Sequence, residues 1–343
     1  MRLLPLLLAP LAVLAADRPN IVFILADDLG AGDVKCFNPD GKIATPHLDA
    51  LAAGGMRLME AHSSSAVCTP TRYNILTGRY NWRSTLKQGV LGGFSPPLIE
   101  EGRQTVAAFL RAQGYHTAAI GKWHLGPDKA HHPLSRGFSE FFGFLSGAHN
   151  FQLQPDAEPV FGRAYSSNSL LRNREPVRVP GFTTDVFTDE TLRFVRRHSQ
   201  QPWFVFLSFN AVHTPLEISG AVADRIPATV TDPQRRGYLA LLLGLDDSIG
   251  RLMHEVRSQH PNTLVFFFSD NGGSGRKPFF AFNTAVNKPL RGDKGQLWEG
   301  GIRVPYFVSW PGHLPAGTVS EAPVSTLDIL PTACAVSGGQ LPD

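Results

Sequence analysis

The sequence predicts an α/β fold: a mainly parallel, partly mixed central sheet with helices on both faces. Two observations carry that expectation. The runs Asn20 to Ala26 (NIVFILA), Trp203 to Phe209 (WFVFLSF) and Thr263 to Ser269 (TLVFFFS) are continuously apolar, as strands buried on both faces must be. Segments of helical period separate them, and strands spaced by helices argue for a parallel sheet.

Taken in order, Pro46 to Ala53 reads as a short helix after the first strand, with Thr45 as N-cap and Gly54-Gly55 ending it. Pro70 to Thr77 reads as a second helix, stopped at Gly78. Thr105 to Gln113 is a third, with Gly114 just past its end, followed by a strand from His116 to Ile120. Asp185 to His198 is helical and leads to the strand at Trp203. Tyr238 to Ser258 is a long helix feeding the strand at Thr263, Val304 to Trp310 is a late strand, and Thr326 to Val336 is a final helix. The stretch from Pro155 to Gly181 lacks periodicity and reads as a surface insertion near the mouth of a site.

Composition narrows the class. With 43% apolar and 18% charged residues, the 343-residue chain is not intrinsically disordered. Its 32 basic and 29 acidic residues leave a formal charge of +3, without the basic stripe of a nucleic-acid binder. Cys36, Cys68 and Cys334 are too few for a disulfide framework and allow one pair at most. Arg2 precedes an apolar run from Leu3 to Leu14 that is shorter than the roughly 20 residues a membrane span needs. Residues 1–15 therefore read as a signal peptide, leaving an exported mature chain with no membrane span.

Ligands of such sheets sit at the carboxyl ends of the strands, so the residues that follow them are the candidates. Asp27 and Asp28 follow the first strand; Asp270 and Asn271 follow the strand ending at Ser269. Carboxylates at short range resist joint ionisation, a penalty that a divalent cation removes, and this hard-oxygen set suits calcium or magnesium. Asp246-Asp247 is another acidic pair, but it lies within a helical pattern and reads as an exposed face. Cys68-Thr69-Pro70-Thr71-Arg72 opens a helix, with Thr69 as N-cap, Cys68 at the positive end and Arg72 able to point to the same side. In Gly121-Lys122-Trp123-His124, extended chain would turn Lys122 and His124 to one face, a cation beside a proton-transfer group. His213 follows the strand at Trp203, and Lys294 lies in Gly292-Asp293-Lys294-Gly295.

Together these segments resemble the sulfatase family of the alkaline phosphatase superfamily, over about Pro19 to Pro342. Cys68-Thr69-Pro70-Thr71-Arg72 followed by Leu76-Thr77-Gly78-Arg79 is similar to the family's Cys-x-Pro-x-Arg signature, and Glu299-Gly300-Gly301-Ile302-Arg303-Val304-Pro305 and Trp310-Pro311-Gly312 match late family motifs. The resemblance implies that residues 17–343 form a catalytic domain of alkaline-phosphatase-like fold that stops before the family's small C-terminal subdomain. It implies that a formylglycine-generating enzyme oxidises Cys68 to formylglycine, whose hydrate attacks the sulfur of an ester through one oxygen and expels sulfate when the other loses its proton. By the same resemblance Asp27, Asp28, Asp270 and Asn271, with the modified Cys68, hold a calcium ion. Arg72 and Lys122 steady the hydrate, His124 takes the proton, and His213 and Lys294 contact the sulfate and assist the departing oxygen. Ser146 and His149 fall where the family places further substrate contacts.

The expected substrate is a sulfated carbohydrate or an aryl sulfate. A phosphodiester or phosphonate monoester, which carries the same single negative charge, remains an alternative. So does a non-catalytic protein that binds sulfated glycans.

Overall fold

A computed structural model of the chain describes residues 18–92, 98–126, 130–153, 170–275 and 283–340. Residues 1–15, read as a signal peptide, and much of the stretch read as an insertion lie outside the described residues.

Among the described residues, ten strands form one mixed sheet. In chain order they are β1 (Asn20–Ala26), β2 (Met56–Leu58), β4 (His116–Lys122), β5 (Glu140–Phe144), β7 (Leu170–Arg172), β8 (Glu175–Val177), β10 (Trp203–Ser208), β11 (Thr263–Ser269), β12 (Tyr306–Ser309) and β13 (Thr318–Ser320). Four two-residue strands, β3 (Ala61–His62), β6 (Gln152–Leu153), β9 (Gly181–Phe182) and β14 (Val324–Ser325), pair outside it. The spatial order is β13-β2-β12-β11-β1-β10-β4-β5-β7-β8. The five central strands from β11 to β5 are parallel, while β12 and β7 run antiparallel to their inner neighbours.

Each central strand is buried on both faces, and alternation decides which helices it meets. Val22, Ile24 and Ala26 point into one core with α1 (Pro46–Ala53), α4 (Thr183–Arg197) and α5 (Pro233–Gln259). Ile21, Phe23 and Leu25 point into the other with α2 (Cys68–Thr77), α3 (Val106–Ala112) and α7 (Ile329–Val336). A four-residue helix, α6 (Glu299–Ile302), completes the set.

Several boundaries differ from the sequence reading, each for a local reason. The long helix begins at Pro233 rather than Tyr238, because Asp232 accepts hydrogen bonds from the Gln234 and Arg235 amides and Pro233 fits the first helical position. Helix α2 begins at Cys68 itself: Val67, in extended conformation, is its N-cap, and the Thr69 hydroxyl accepts from the Leu91 amide. The final helix is a 3-10 turn over Thr326–Asp328 that passes into α7. Residues 170–177, expected in an insertion, form the hairpin β7–β8 that extends the sheet edge.

Asp246 is not on an exposed face. It is buried, and its carboxylate accepts the amides of His47 at 3.2 Å and Leu48 at 2.8 Å, capping the first turn of α1. Thr45 stands at the N-cap of α1, but its hydroxyl is spent on the Lys35 amide and on Asp49. Burial raises the Asp246 carboxyl to about 6.

Candidate active site

The in-register pairing of β1 with β11 sets Ala26 beside Ser269, so the residues that follow, Asp27 with Asp270 and Asp28 with Asn271, leave the sheet side by side. The Asp28 amide donates to Asp270 at 3.3 Å and the Asn271 amide nitrogen donates to Asp28 at 2.7 Å, while Asp270 N donates to the Ala26 carbonyl. All four acidic-end residues are fully buried.

Three cations meet the three carboxylates. Arg72 donates from Nε and Nη2 to Asp270, Lys122 donates to Asp27, and Lys294 donates to Asp28 at 2.8 Å. The charges of these six side chains therefore cancel before any ligand arrives. Arg72 enters on α2, Lys122 ends β4, and Lys294 lies on a loop bolted down by Lys294 N to the Gly273 carbonyl and Gly295 N to the Ala66 carbonyl.

The cluster splits the carboxyl pKa values. Burial would raise Asp27, but Lys122, His213 and Arg72 outweigh it and hold Asp27 below the usual carboxylate range. Burial and the Asp27 charge push Asp270 up. Burial would also lower Lys294, but the Asp28 carboxylate overrides it and keeps the ammonium protonated.

The donor set fits a hard divalent cation. Asp27 Oδ1 and Asn271 Oδ1 are buried and have no hydrogen-bond partner, which is costly for oxygen atoms unless a ligand takes them up. Asp27, Asp28 and His213 also bring one ligand atom each within 4.8 Å of one another. A second grouping of Glu60, His62 and Glu299 holds a cation of the protein's own, because Arg303 pairs with both glutamates.

Cys68 is buried at the start of α2; it forms no disulfide, and neither do the half-buried Cys36 and the buried Cys334. Burial pushes its thiol up, and Lys122 and Lys294 offset only part of that. The unmodified side chain is thus a protonated thiol at neutral pH, not the thiolate that a helix start alone would suggest.

His124 sits at φ +57°, so the chain is not extended there, yet Lys122 and Arg72 both act on its ring. Its Nε2 donates to the Leu91 carbonyl at 3.0 Å, which fixes the tautomer and leaves Nδ1 with a lone pair, buried and without a partner. Burial first, then Lys122 and Arg72, hold its pKa well below the usual histidine range. Trp123 turns the other way, into the core, and donates to the His131 carbonyl. His213 lies beyond β10 with Nδ1 against the Thr214 carbonyl at 2.7 Å and Nε2 3.8 Å from Asp28.

Ser146 spends its hydroxyl on the Ala148 carbonyl, and His149 turns Nδ1 to the Asn150 carbonyl and its ring to Phe144. The loop they share serves His124 directly, because a side chain at Gly147 would come within 2.6 Å of the His124 ring.

Sequence reasoning missed Ser208, whose hydroxyl accepts from Arg72 Nη1, and Asn283, whose side-chain amide ties the carbonyls of Asp28 and Val212 together. Ser208 left a trace as the one polar residue in WFVFLSF, at the strand's carboxyl end; Asn283 left none.

The family model described as Sulfatase matches residues 19–339. Arylsulfatase A of Bos taurus is 35% identical over 352 residues, covering 96% of this chain and 66% of its own length. Arylsulfatase G of Mus musculus is 32% identical, covering 95% of this chain and 66% of its own length. The chain thus spans about two thirds of the curated relatives it matches. The crystal structure of Ps i-CgsB superposes with a TM-score of 0.86 at 34% identity, covering 95% of this chain and 73% of that one. Ps i-CgsB in complex with k-i-k-neocarrahexaose gives a TM-score of 0.83 at 33% identity, with the same coverage.

Proposed function

The chain belongs to the sulfatase family, and from that premise we propose that it hydrolyses sulfate esters to an alcohol and inorganic sulfate, using Cys68 matured to formylglycine and a calcium ion. The observation that carries this reading is the buried knot of Arg72, Lys122 and Lys294 against Asp27, Asp28 and Asp270, in which all three cations and the carboxylates of Asp27 and Asp270 act on residue 68. Those six charges cancel, so a divalent cation at the partnerless oxygens of Asp27 and Asn271 would leave the pocket positive, as an anionic ester requires.

When present, the cation supplies charge that polarises a sulfate oxygen, and the hydrated aldehyde supplies a two-hydroxyl nucleophile that a protonated thiol cannot offer. Everything else falls to the chain's own side chains. Arg72 is fixed by bonds to Asp270, Ser208 and the Lys122 carbonyl, so its charge stands ready without reorganisation. Lys122 offsets negative charge beside residue 68. His124, neutral and locked by Leu91, can take a proton at Nδ1. Lys294 stays charged and donates to the sulfate or the departing oxygen, with His213 turning Nε2 to the same acid cluster.

Residues 17–343 act as the catalytic domain in this reading, and the substrate is a sulfated carbohydrate or an aryl sulfate. The likeness to Ps i-CgsB, solved with a bound neocarrahexaose, supports the carbohydrate arm. Maturation calls for a formylglycine-generating enzyme as partner, and the apolar run behind Arg2 supports export. No helix among the described residues is long and apolar enough to cross a membrane.

Parallel steady-state assays with an aryl sulfate and an aryl phosphodiester test the proposal, on protein coexpressed with a formylglycine-generating enzyme. Preference for the sulfate is expected. Turnover of the phosphodiester alone, or binding of sulfated sugar without turnover of either ester, would replace this reading with one of its two alternatives.

A further inference from the structure

We infer that the chain carries a second binding site, for a sulfated saccharide, at the end of α2 remote from Cys68. Helix α2 has ten residues, which at about 1.5 Å per residue puts Thr77 roughly 14 Å from Cys68. There a cavity of about 650 Å³ opens, lined by Arg79, Arg83 and Arg103. Arg79 belongs to the Thr-Gly-Arg part of the signature, yet it touches none of the reacting groups.

The cavity has more cationic donors than the protein itself uses. Arg79 and Arg103 share one carboxylate, Glu100, at 3.8 and 3.9 Å, and Glu100 already accepts from the Tyr73 hydroxyl at 3.0 Å. Arg103 Nε is buried and has no hydrogen-bond partner. The Arg83 guanidinium has no ion pair or hydrogen bond among the described residues. Three guanidinium groups against one carboxylate leave an excess of two positive charges, with the fork of Arg83 free to meet sulfate oxygens.

An aromatic platform sits between the two arginines in sequence. The rings of Tyr80 and Trp82 stack with centroids 3.9 Å apart and 14° between planes, and Trp82 is 53% exposed. The 3-10 turn Asn81–Arg83 anchors the pair through the buried Asn81, whose side chain donates to the Leu86 carbonyl. An exposed ring next in the chain to the unpaired Arg83 guanidinium, within the same 3-10 turn, suits a pyranose ring, which offers an apolar C–H face and sulfate groups at its edge. A nucleic acid would also offer stacking and charge, but it tracks a continuous basic groove, and the near-balanced charge of this chain supplies none.

The site is independent of the catalytic reading, so binding rather than turnover tests it. The full chain bearing Cys68→Ala is titrated with a sulfated dextran oligosaccharide, a neutral dextran of equal length and a single-stranded oligonucleotide of equal charge. The sulfated sugar alone is expected to bind, more weakly as salt rises. Arg83→Gln and Trp82→Ala, both at exposed positions, are each expected to weaken it about tenfold at an unchanged unfolding temperature. Unchanged affinity in both variants would overturn the site. Equal binding of the neutral dextran would overturn the role of the arginines, and equal binding of the oligonucleotide would overturn the saccharide.

Discussion

Two N–H groups of Arg72 converge on one oxygen of Asp270, Nε at 3.0 Å and Nη2 at 2.8 Å, joining residues 198 positions apart. The contact ties the first turns of α2 to the acidic end of β11, with every partner buried. Arg72→Gln would leave Asp270 and Asp27 short of a cation in a dry site. Urea unfolding is expected to show a loss of about 3–5 kcal/mol, and turnover to fall by roughly 10²- to 10³-fold.

Metal removal has a readout apart from activity. Adding calcium at a hundredfold excess over its dissociation constant is expected to stabilise the chelator-treated protein by about 2.7 kcal/mol. Asp27→Ala and Asn271→Ala remove the two partnerless oxygens, and both are expected to abolish that gain. A stability curve indifferent to calcium and magnesium alike would exclude the metal.

His124 links the site to pH. Its folded pKa lies well below 6.5, so the unfolded chain takes up the proton first as pH falls. Stability is therefore full above about pH 6.5 and declines below it, by up to about 1.4 kcal/mol per pH unit until the folded pKa is reached. The acid limb of kcat/KM should set in only beneath that range, where His124 of the folded protein takes up its proton. Urea midpoints against pH check the slope, which His124→Gln should flatten.

Gly147 is expected to accept no side chain without cost to catalysis. An alanine Cβ would sit 2.6 Å from His124 Nε2 and push the ring off the Leu91 carbonyl. Turnover of Gly147→Ala is expected to fall by roughly 10²-fold, the scale of a misplacement of about 1 Å. Binding of inorganic sulfate, measured by competition, should change little.

Asp246 gives a control far from the chemistry. Asp246→Ala removes the acceptor for the first two amides of α1 and is expected to cost about 1 kcal/mol in urea unfolding, with kcat unchanged.

Much of this site was legible because buried parallel strands write themselves as apolar runs, and polar residues just past such runs stand at the ligand-binding edge. Asp27, Asp28, Asp270 and Asn271 were found in that way, and the register of β1 on β11 is what joins them. Short strands such as β5 and the hairpin β7–β8 left too few residues for a period to register. Asp246 was misread because helical spacing reports which side of a helix is apolar, not that a polar residue there caps a neighbouring helix. Ser208 and Asn283 act through contacts between distant segments, which no local pattern encodes.

Mass analysis of the peptide carrying Cys68, on protein coexpressed with a formylglycine-generating enzyme and assayed from the same preparation, tests the central claim most directly. An aldehyde at residue 68, in a fraction that tracks aryl sulfate turnover, is the expected result. Full turnover from a preparation whose residue 68 is still a thiol would contradict it.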